Sequence, residues 1–518
     1  MPDREAISGS VQAATIAFLE GGNAFGPHER PQRIDTHAAS VFLSGDRAWK
    51  LKRDVKFPYL DFSSPERRRA ALEAELALNR RTAPDLYIAV HPITRDGGGV
   101  LAIDGAGEPV DWVLEMRRLP NGALLDQRAD RGELDDPLLM RLAERIAAFH
   151  HSAEIARTAS GKEHMLRIVE SNLESMAALP AILDQAEARR LADRLKAIVE
   201  EQSLLLDERA KAGRVRHGHG DLHLANIAVI DGQPTPFDCL EFSTDLACVD
   251  MLYDLAFLLA DLWQRGLRRE ANIVFNRYLD VAPEDEAGIA LMPLFLSLRI
   301  SIRALVVGAR SERGGTDFAA RRLARDCLRL AGRLIEPIAP RLVAIGGLSG
   351  TGKSSLARSL GDHIGRPPGA RIVRSDVIRK RMAGLAPEER LPPASYTIEA
   401  NAAVYEAMRA SCAEALACGE GVIADAVFAR PEERDGIEAV ATTAGIGFAG
   451  LWLEAHGRTR ITRIEGRDRD ASDADAAVAR GQAELAIGDL KGWKRLSANG
   501  PLDEVAAVAR SALGIPPD

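Results

Sequence analysis

The sequence predicts a multidomain α/β protein, with an α+β N-terminal part and a C-terminal part built on a parallel sheet. Three observations carry this. The chain has 518 residues, too many for one ordinary core. Helical periodicity runs from Asp250 to about Leu334, and Pro337 and Pro340 break it just before the apolar run Leu342-Val343-Ala344-Ile345. Beyond that break strands and helices alternate, the pattern of a parallel sheet covered on both faces. The boundary is set near residue 339, giving an N-terminal extension over 1–34, one domain over 35–338 and another over 339–518.

Composition narrows the class. The chain is 46% hydrophobic and 27% charged, as globular domains are. Sixty-seven basic residues against 75 acidic ones give a net charge of −8, which argues against a dedicated nucleic-acid binder. The five cysteines form no CxxC pair and no metal-finger spacing, so they read as reduced thiols in a cytoplasm. The start Met1-Pro2-Asp3-Arg4-Glu5 lacks the order of a signal peptide, and no uninterrupted apolar run reaches the roughly 18 residues of a membrane helix.

Along the chain, the first forty residues are polar and glycine-bearing and predict little regular structure. Ser40–Leu43 and Ala48–Lys52 flank a Ser44-Gly45-Asp46 turn and predict a hairpin. Ser63-Ser64-Pro65-Glu66 predicts a helix start, with Ser63 as cap and Glu66 three residues on, and the helix runs to about Arg81. Strands follow at Leu86–Pro92 and Trp112–Met116. Long helical patterns then cover Leu138–Phe149 and Leu191–Leu206, interrupted near Arg216–Phe242 by short runs rich in His, Asp and Gly.

Two stretches carry chemistry. Gly347-Leu348-Ser349-Gly350-Thr351-Gly352-Lys353-Ser354 fits G-x-x-x-x-G-K-[ST], between an apolar strand and a helical run. Glycines let the backbone N–H groups turn inward around phosphate, and the helix N-terminus adds positive dipole. Lys353 is then expected at the β/γ-phosphates of ATP and the Ser354 hydroxyl on Mg²⁺. Arg371–Asp376 places Asp376 at a strand's carboxyl end, where open α/β sheets bind ligands. There it is poised to take a proton from a substrate hydroxyl, with Arg379 as a substrate contact. Gly421–Ala426 likewise ends a strand in Asp425, expected on the Mg²⁺ water shell or on substrate. A helix N-cap is the plain alternative for either aspartate. Arg460, Arg463 and Arg467 share one helix face, and Arg463 and Arg467 are expected as a lid over the transferred phosphoryl group.

The second stretch is His217-Gly218-His219-Gly220-Asp221-Leu222-His223-Leu224-Ala225-Asn226, with Asp238 and Glu241 following in Pro236–Phe242. Phosphoryl transfer needs a carboxylate near the attacking hydroxyl and oxygen ligands for Mg²⁺. Asp221 suits the first role, Asn226 and Asp238 the second. The histidines lack the helical H-E-x-x-H spacing of a metal hydrolase.

His219–Asn226 with Asp238–Glu241 resembles the Brenner motif of aminoglycoside phosphotransferases and choline kinases. That resemblance implies a protein-kinase-like bilobal fold over roughly residues 35–335. It also implies a small-lobe lysine on the α/β-phosphates, paired with a helix glutamate. Lys50 or Lys52 fills the first position, since alternation puts both on one strand face, and Glu75, with Glu73 as the second choice, fills the other. Glu115-Met116-Arg117 falls where hinge backbone would meet adenine. The sequence departs from the pattern before Lys50, where Thr36–Ser40 stands in place of a glycine-rich loop.

Residues 341–515 resemble the small-molecule P-loop kinases: chloramphenicol phosphotransferase, gluconate kinase, the zeta toxins and the kinase domain of polynucleotide kinase. The match rests on Gly347–Ser354, Ser375–Arg379, Val422–Asp425 and Arg463 with Arg467, and it makes Asp376 the catalytic base. The combination resembles a group of bacterial fusion proteins. That combination supplies no substrate; the catalytic set in each half leads instead to the expectation of two ATP–Mg²⁺-dependent transferases acting on small-molecule hydroxyls. The alternative is one P-loop kinase with an N-terminal sensing or substrate-binding module, which the missing glycine loop motivates. A P-loop ATPase coupled to movement would need a coupling module, and the sequence shows none.

Overall fold

The computed structural model describes residues 12–21, 24–26, 30–36, 38–57, 60–156, 160–241, 247–313, 317–466, 471–482, 485 and 487–516. The chain packs as two compact units. One comprises Met1–His164, Leu206–Leu258 and Ala309–Phe318, the other Met165–Leu205, Leu259–Gly308 and Ala319–Asp518. The change of sequence pattern near residue 339 is therefore not the division that packing makes.

The first unit is built on a six-stranded antiparallel sheet. Its strands are β1 (Gln32–Asp35), β2 (Ala39–Ser44), β3 (Arg47–Lys52), β4 (Tyr87–Arg95), β5 (Leu101–Ile103) and β6 (Glu108–Arg117), in the order β1-β2-β3-β6-β4-β5. The expected hairpin is β2–β3, turning at Gly45 with φ of +55° and pairing Phe42 with Trp49. Ala48, Lys50 and Lys52 therefore share one face, Trp49 and Leu51 the other. Helix α2 (Pro65–Asn79) starts where expected, but its cap is Ser64: that hydroxyl accepts from Arg67 N, while Ser63 Oγ donates to Asp61. Such a cap stabilises the helix by about 1 kcal/mol.

The early residues hold more order than their polarity predicts. Helix α1 (Ala13–Glu20) sets Ile16 and Leu19 against Phe42, Leu51 and Val113 on the far side of the sheet. Gln12 clips it in place: its amide donates to Lys52 O and Asp111 Oδ2 and accepts from Asp54 N. After β6 the unit turns helical, with α3 (Asp136–Ser152) capped by Asp135. The short strands Val215–His217 and Cys248–Asp250 pair antiparallel, as do Ile227–Ile230 and Gln233–Pro236. The loop between His217 and Ile227 carries the His/Asp/Asn signature.

The second unit holds the predicted parallel sheet. Its strands are β7 (Arg341–Gly347), β8 (Arg371–Arg374), β9 (Val422–Asp425), β10 (Gly447–Glu454) and β11 (Trp493–Ser497), in the order β8-β9-β7-β10-β11 with every neighbouring pair parallel. Val343, Ile345, Ile423 and Leu451 pack with Leu356 and Leu360 in one core. Each such side chain contributes about 1.5–3 kcal/mol on burial. Pro283–Glu312 is long and apolar enough to cross a membrane by length and composition, and 67% of its most apolar stretch is buried inside the protein.

Candidate active sites

The glycine loop joins β7 to helix α4 (Lys353–Leu360), at the carboxyl end of the central strand. Gly347, Gly350 and Gly352 have φ of +144°, +83° and +95°, which side-chain-bearing residues rarely adopt. A Cβ on Gly350 would stand 2.5 Å from Arg460 O, and one on Gly347 2.7 Å from Leu453 O. The loop must therefore stay bare, as backbone amides facing a phosphate require.

Ser354 is the second residue of α4, and its hydroxyl donates to Asp425 Oδ2 at 2.6 Å. β9 brings this about: its last residue, Asp425, lies in register with Ile345 on one side and Arg374 on the other. Arg374, which sequence reasoning passed over, donates to Ser354 Oγ at 3.2 Å and stands 3.5 Å from Asp425. Its signal was its place as the last residue of the strand before Asp376. Lys353 Nζ donates to Leu348 O at 3.3 Å, and Thr351 Oγ1 to the same carbonyl at 2.8 Å.

Asp376 lies in the first turn of helix α5 (Ser375–Met382), immediately after β8. One turn on, Arg379 donates to Asn401 Oδ1 at 2.5 Å and lies 4.9 Å from the Tyr396 ring. Asp473 ties this region together, accepting from Lys380 at 2.7 Å, Tyr396 Oη at 2.6 Å and Leu391 N at 3.0 Å. Burial works against its charge, but these donors hold its pKa below the ordinary carboxylate value. Sequence reasoning missed it, since its partners lie far away in the chain. Arg463 and Arg460, on helix α6 (Gly457–Glu465), grip the loop's backbone: Arg463 donates to Thr351 O at 3.2 Å and Arg460 to Ser349 O at 2.8 Å. Ser349 N donates to Gln482 Oε1 at 2.7 Å. Arg467 lies outside the described residues.

In the first unit, β3 and α2 face each other through charge. Lys50 Nζ lies 2.6 Å from Glu75 Oε1 and 2.8 Å from Asp238 Oδ1. Lys52 Nζ lies 2.6 Å from Glu75 Oε2 and 2.6 Å from Glu241 Oε1. Both lysines thus meet the fully buried Glu75, whereas Glu73 pairs with Arg69 at the surface. Burial opposes the Lys50 charge, but Asp238 and Glu75 outweigh it and hold its pKa well above the ordinary lysine value. Burial pushes the Asp238 pKa upward, and Lys50 more than reverses this, bringing it down to about 2. Asp238 has φ of +62°, and its N–H donates to Tyr87 Oη. The α2 side chain of Asn79 accepts from Cys239 N at 2.8 Å, fixing the same turn.

Asp221 and Asn226 come together as expected, with Asn226 Nδ2 donating to Asp221 Oδ2 at 2.8 Å. Burial raises the Asp221 pKa, but His223 and His219 overcome it and leave it lowered. The loop hangs on Asp254, from the helix Met251–Gln264; its carboxylate accepts from His219 N at 2.7 Å and Gly220 N at 2.9 Å. Asp250 instead pairs with Arg209 through both oxygens at 2.7 Å. Glu115 lies on β6 opposite Trp49, on the sheet face away from Lys50, and pairs with Arg47 and His91. Of the Thr36–Ser40 stretch, His37 lies outside the described residues.

The donor sets fit ATP–Mg²⁺ at both places: a bare amide cradle with a hydroxyl and a carboxylate in one, carboxylates, an amide oxygen and a lysine in the other. Among the described residues no group of three or more His, Cys, Asp and Glu stands together as a metal cluster.

A family described as AAA domain matches residues 342–486. An uncharacterized protein of Mycobacterium tuberculosis, Rv2004c, is 29% identical over 456 residues, covering 86% of this chain and 88% of the relative. Among solved structures, amicoumacin kinase hAmiN in complex with AMP-PNP, Ca²⁺ and Ami aligns at a TM-score of 0.40 and 13% identity, over 63% of this chain and 95% of that one. Choline kinase from Cryptosporidium parvum Iowa II aligns at 0.39 and 10%, over 59% and 88%. A gluconokinase from Sinorhizobium meliloti 1021 aligns at 0.25 and 20%, over 34% and 92%. The chain is thus similar to AAA-type P-loop domains at its C-terminal end, and its solved neighbours include choline, amicoumacin and gluconate kinases.

Proposed function

We propose that the chain is a bifunctional ATP-dependent phosphotransferase, with residues 35–338 and 339–518 each moving a phosphoryl group from ATP–Mg²⁺ to a small-molecule hydroxyl. The Ser354–Asp425 pair at the mouth of the glycine cradle carries this reading, because it sets a hydroxyl and a carboxylate together where a magnesium–phosphate complex needs oxygen ligands. In it, Asp376 and Asp221 take the acceptor's proton. Lys353 and Lys50 meet phosphate oxygens, and Asn226 with Asp238 or Ser354 with Asp425 holds the cation. The five cysteines are all free thiols, which agrees with a reducing cytoplasm.

The test is ATP consumption by the full chain against a panel of metabolites and aminoglycosides. Asp221→Asn and Asp376→Asn should each abolish turnover of a different acceptor and keep nucleotide binding; unchanged turnover in either variant refutes that base. A second reading makes the N-terminal part a sensing or substrate-binding module, favoured by the absence of a glycine-rich loop before Lys50. Acceptor phosphorylation that survives Asp376→Asn and is lost in Asp221→Asn excludes it.

A further inference from the structure

The acceptor side of the P-loop site is carried by β8 and α5, and β8 is an edge strand. A strand at a sheet edge leaves one row of backbone groups unpaired. Here helix Arg268–Val281 pairs with the start of that row, and with the residues just before it, through side chains. Asn276 Oδ1 accepts from Ile372 N at 2.6 Å, and Asn276 Nδ2 donates to Ala370 O at 3.0 Å, as a neighbouring strand would. Asn272 donates to Pro368 O and Ala370 O at 3.2 and 3.0 Å. The fit leaves no room: a Cβ on Gly361 would stand 2.0 Å from Asn272 Oδ1.

Charge locks the same contact. Arg371, the first residue of β8, is 4% exposed and donates to Asp280 at 2.9 Å and to Glu286 Oε1 at 2.7 Å. Arg381, near the end of α5, donates to that same Glu286 oxygen at 3.1 Å. One carboxylate therefore holds both ends of the strand–helix pair between which Asp376 and Arg379 lie. Burial opposes the Glu286 charge, and the two arginines outweigh it and hold its pKa below the ordinary carboxylate value. Arg277 extends the contact to Glu388 at 2.7 Å, in the loop beyond α5.

We infer that Glu286 is a positioning residue for phosphoryl transfer at the P-loop site, aiming Asp376 through Arg371 and Arg381; this rests on the reading of Asp376 as base. The residue lies more than fifty positions before the glycine loop, on the N-terminal side of the proline-marked break. Its hydrogen-bond partners among the described residues are Arg371 and Arg381, neither of them on the glycine loop, so its removal should spoil aim rather than ATP binding. A displacement of about 1 Å at a reacting group costs up to roughly a hundredfold in rate.

The experiment uses the full chain, Glu286→Ala and the milder Glu286→Gln, with ATP–Mg²⁺ alone as probe. Backbone hydrogen exchange is followed over 371–382 and 347–354, together with the part of ATP turnover that Lys353→Ala abolishes. Glu286→Ala should speed exchange over 371–382 by about tenfold or more. Exchange over 347–354 and the KM for ATP should stay unchanged, and the turnover rate should fall roughly tenfold to a hundredfold. Glu286→Gln should shift both readouts the same way by less. Unchanged exchange over 371–382 in both variants overturns the inference, as does equal loosening of both segments in Glu286→Gln, which would make the role merely structural. If exchange responds to Glu286 while Asp376→Asn turns over ATP normally, the positioning stands and the base assignment fails.

Discussion

Lys50 stands between Glu75 at 2.6 Å and Asp238 at 2.8 Å, so one ammonium ties α2 to the turn that carries a candidate magnesium ligand. Lys52 shares Glu75 but turns to Glu241 under the Phe62 ring, and it is 3% exposed against 15% for Lys50. The two lysines should separate by assay. Lys50→Met should lower transfer at the Asp221 site by two to three orders of magnitude, the scale for losing a charge aimed at phosphate. Lys52→Met should keep most of that activity and destabilise the fold by about 3 kcal/mol, because it removes the buried cation between the fully buried Glu75 and the mostly buried Glu241. Thermal denaturation beside the acceptor assay distinguishes them.

The Ser354–Asp425 contact predicts a metal-linked defect. Asp425→Asn keeps the shape and removes the charge. ATP affinity should become less responsive to magnesium, with cation affinity falling about ten- to a hundredfold. Calorimetric titration of ATP at several magnesium concentrations reads this, and an unaltered magnesium dependence would remove Asp425 from the cation's ligand sphere.

Asp254 predicts a loss of stability together with a loss of activity. It is fully buried and receives two backbone N–H groups of the signature loop, besides His150 Nε2 at 3.2 Å. Asp254→Ala leaves those donors without their acceptor, at a cost of about 3 kcal/mol. Transfer at the Asp221 site should fall with it, while turnover at the P-loop site persists. Thermal unfolding and the two turnover rates measured on one preparation provide the check.

Glu420 predicts a pH dependence. It is fully buried just before β9, and burial pushes its pKa up to about 7 although Arg366 lies 2.6 Å away and works in the opposite direction. A carboxyl whose pKa is higher folded than unfolded stabilises fully below the unfolded value, and that contribution is lost as pH rises through the folded one. The second unit should therefore weaken between about pH 4.5 and 7, by on the order of 3 kcal/mol. Glu420→Gln should flatten this slope. Thermal midpoints of wild type and variant across that window supply the comparison, and parallel curves would rule Glu420 out as the cause.

What could be read in the sequence was local. Gly347–Ser354 announces itself because eight consecutive residues must satisfy one backbone shape, and Asp221, Asn226 and Asp238 because a short run of His, Asp and Asn followed by an acid stands out in sequence. Asp376 and Asp425 followed from strand ends. Ser63 and Ser64 are adjacent hydroxyls before one proline, so composition could not tell cap from neighbour; the structure gives the cap to Ser64. Helix α1 escaped notice because what orders it is Gln12 reaching Lys52 O and Asp111, partners 40 and 99 residues distant. Asp473, Gln482 and Glu286 were invisible for the same reason: each owes its place to chain that only folding brings near.

The asparagine pair against β8 also bears on how the chain is made. A parallel sheet assembles from segments far apart in sequence, and until it closes its rim can take up a strand from another molecule. Asn272 and Asn276 leave the ribosome well before Ile372. The residues that cap the start of that rim are thus already synthesised when the strand emerges, and docking them removes those backbone groups from intermolecular pairing.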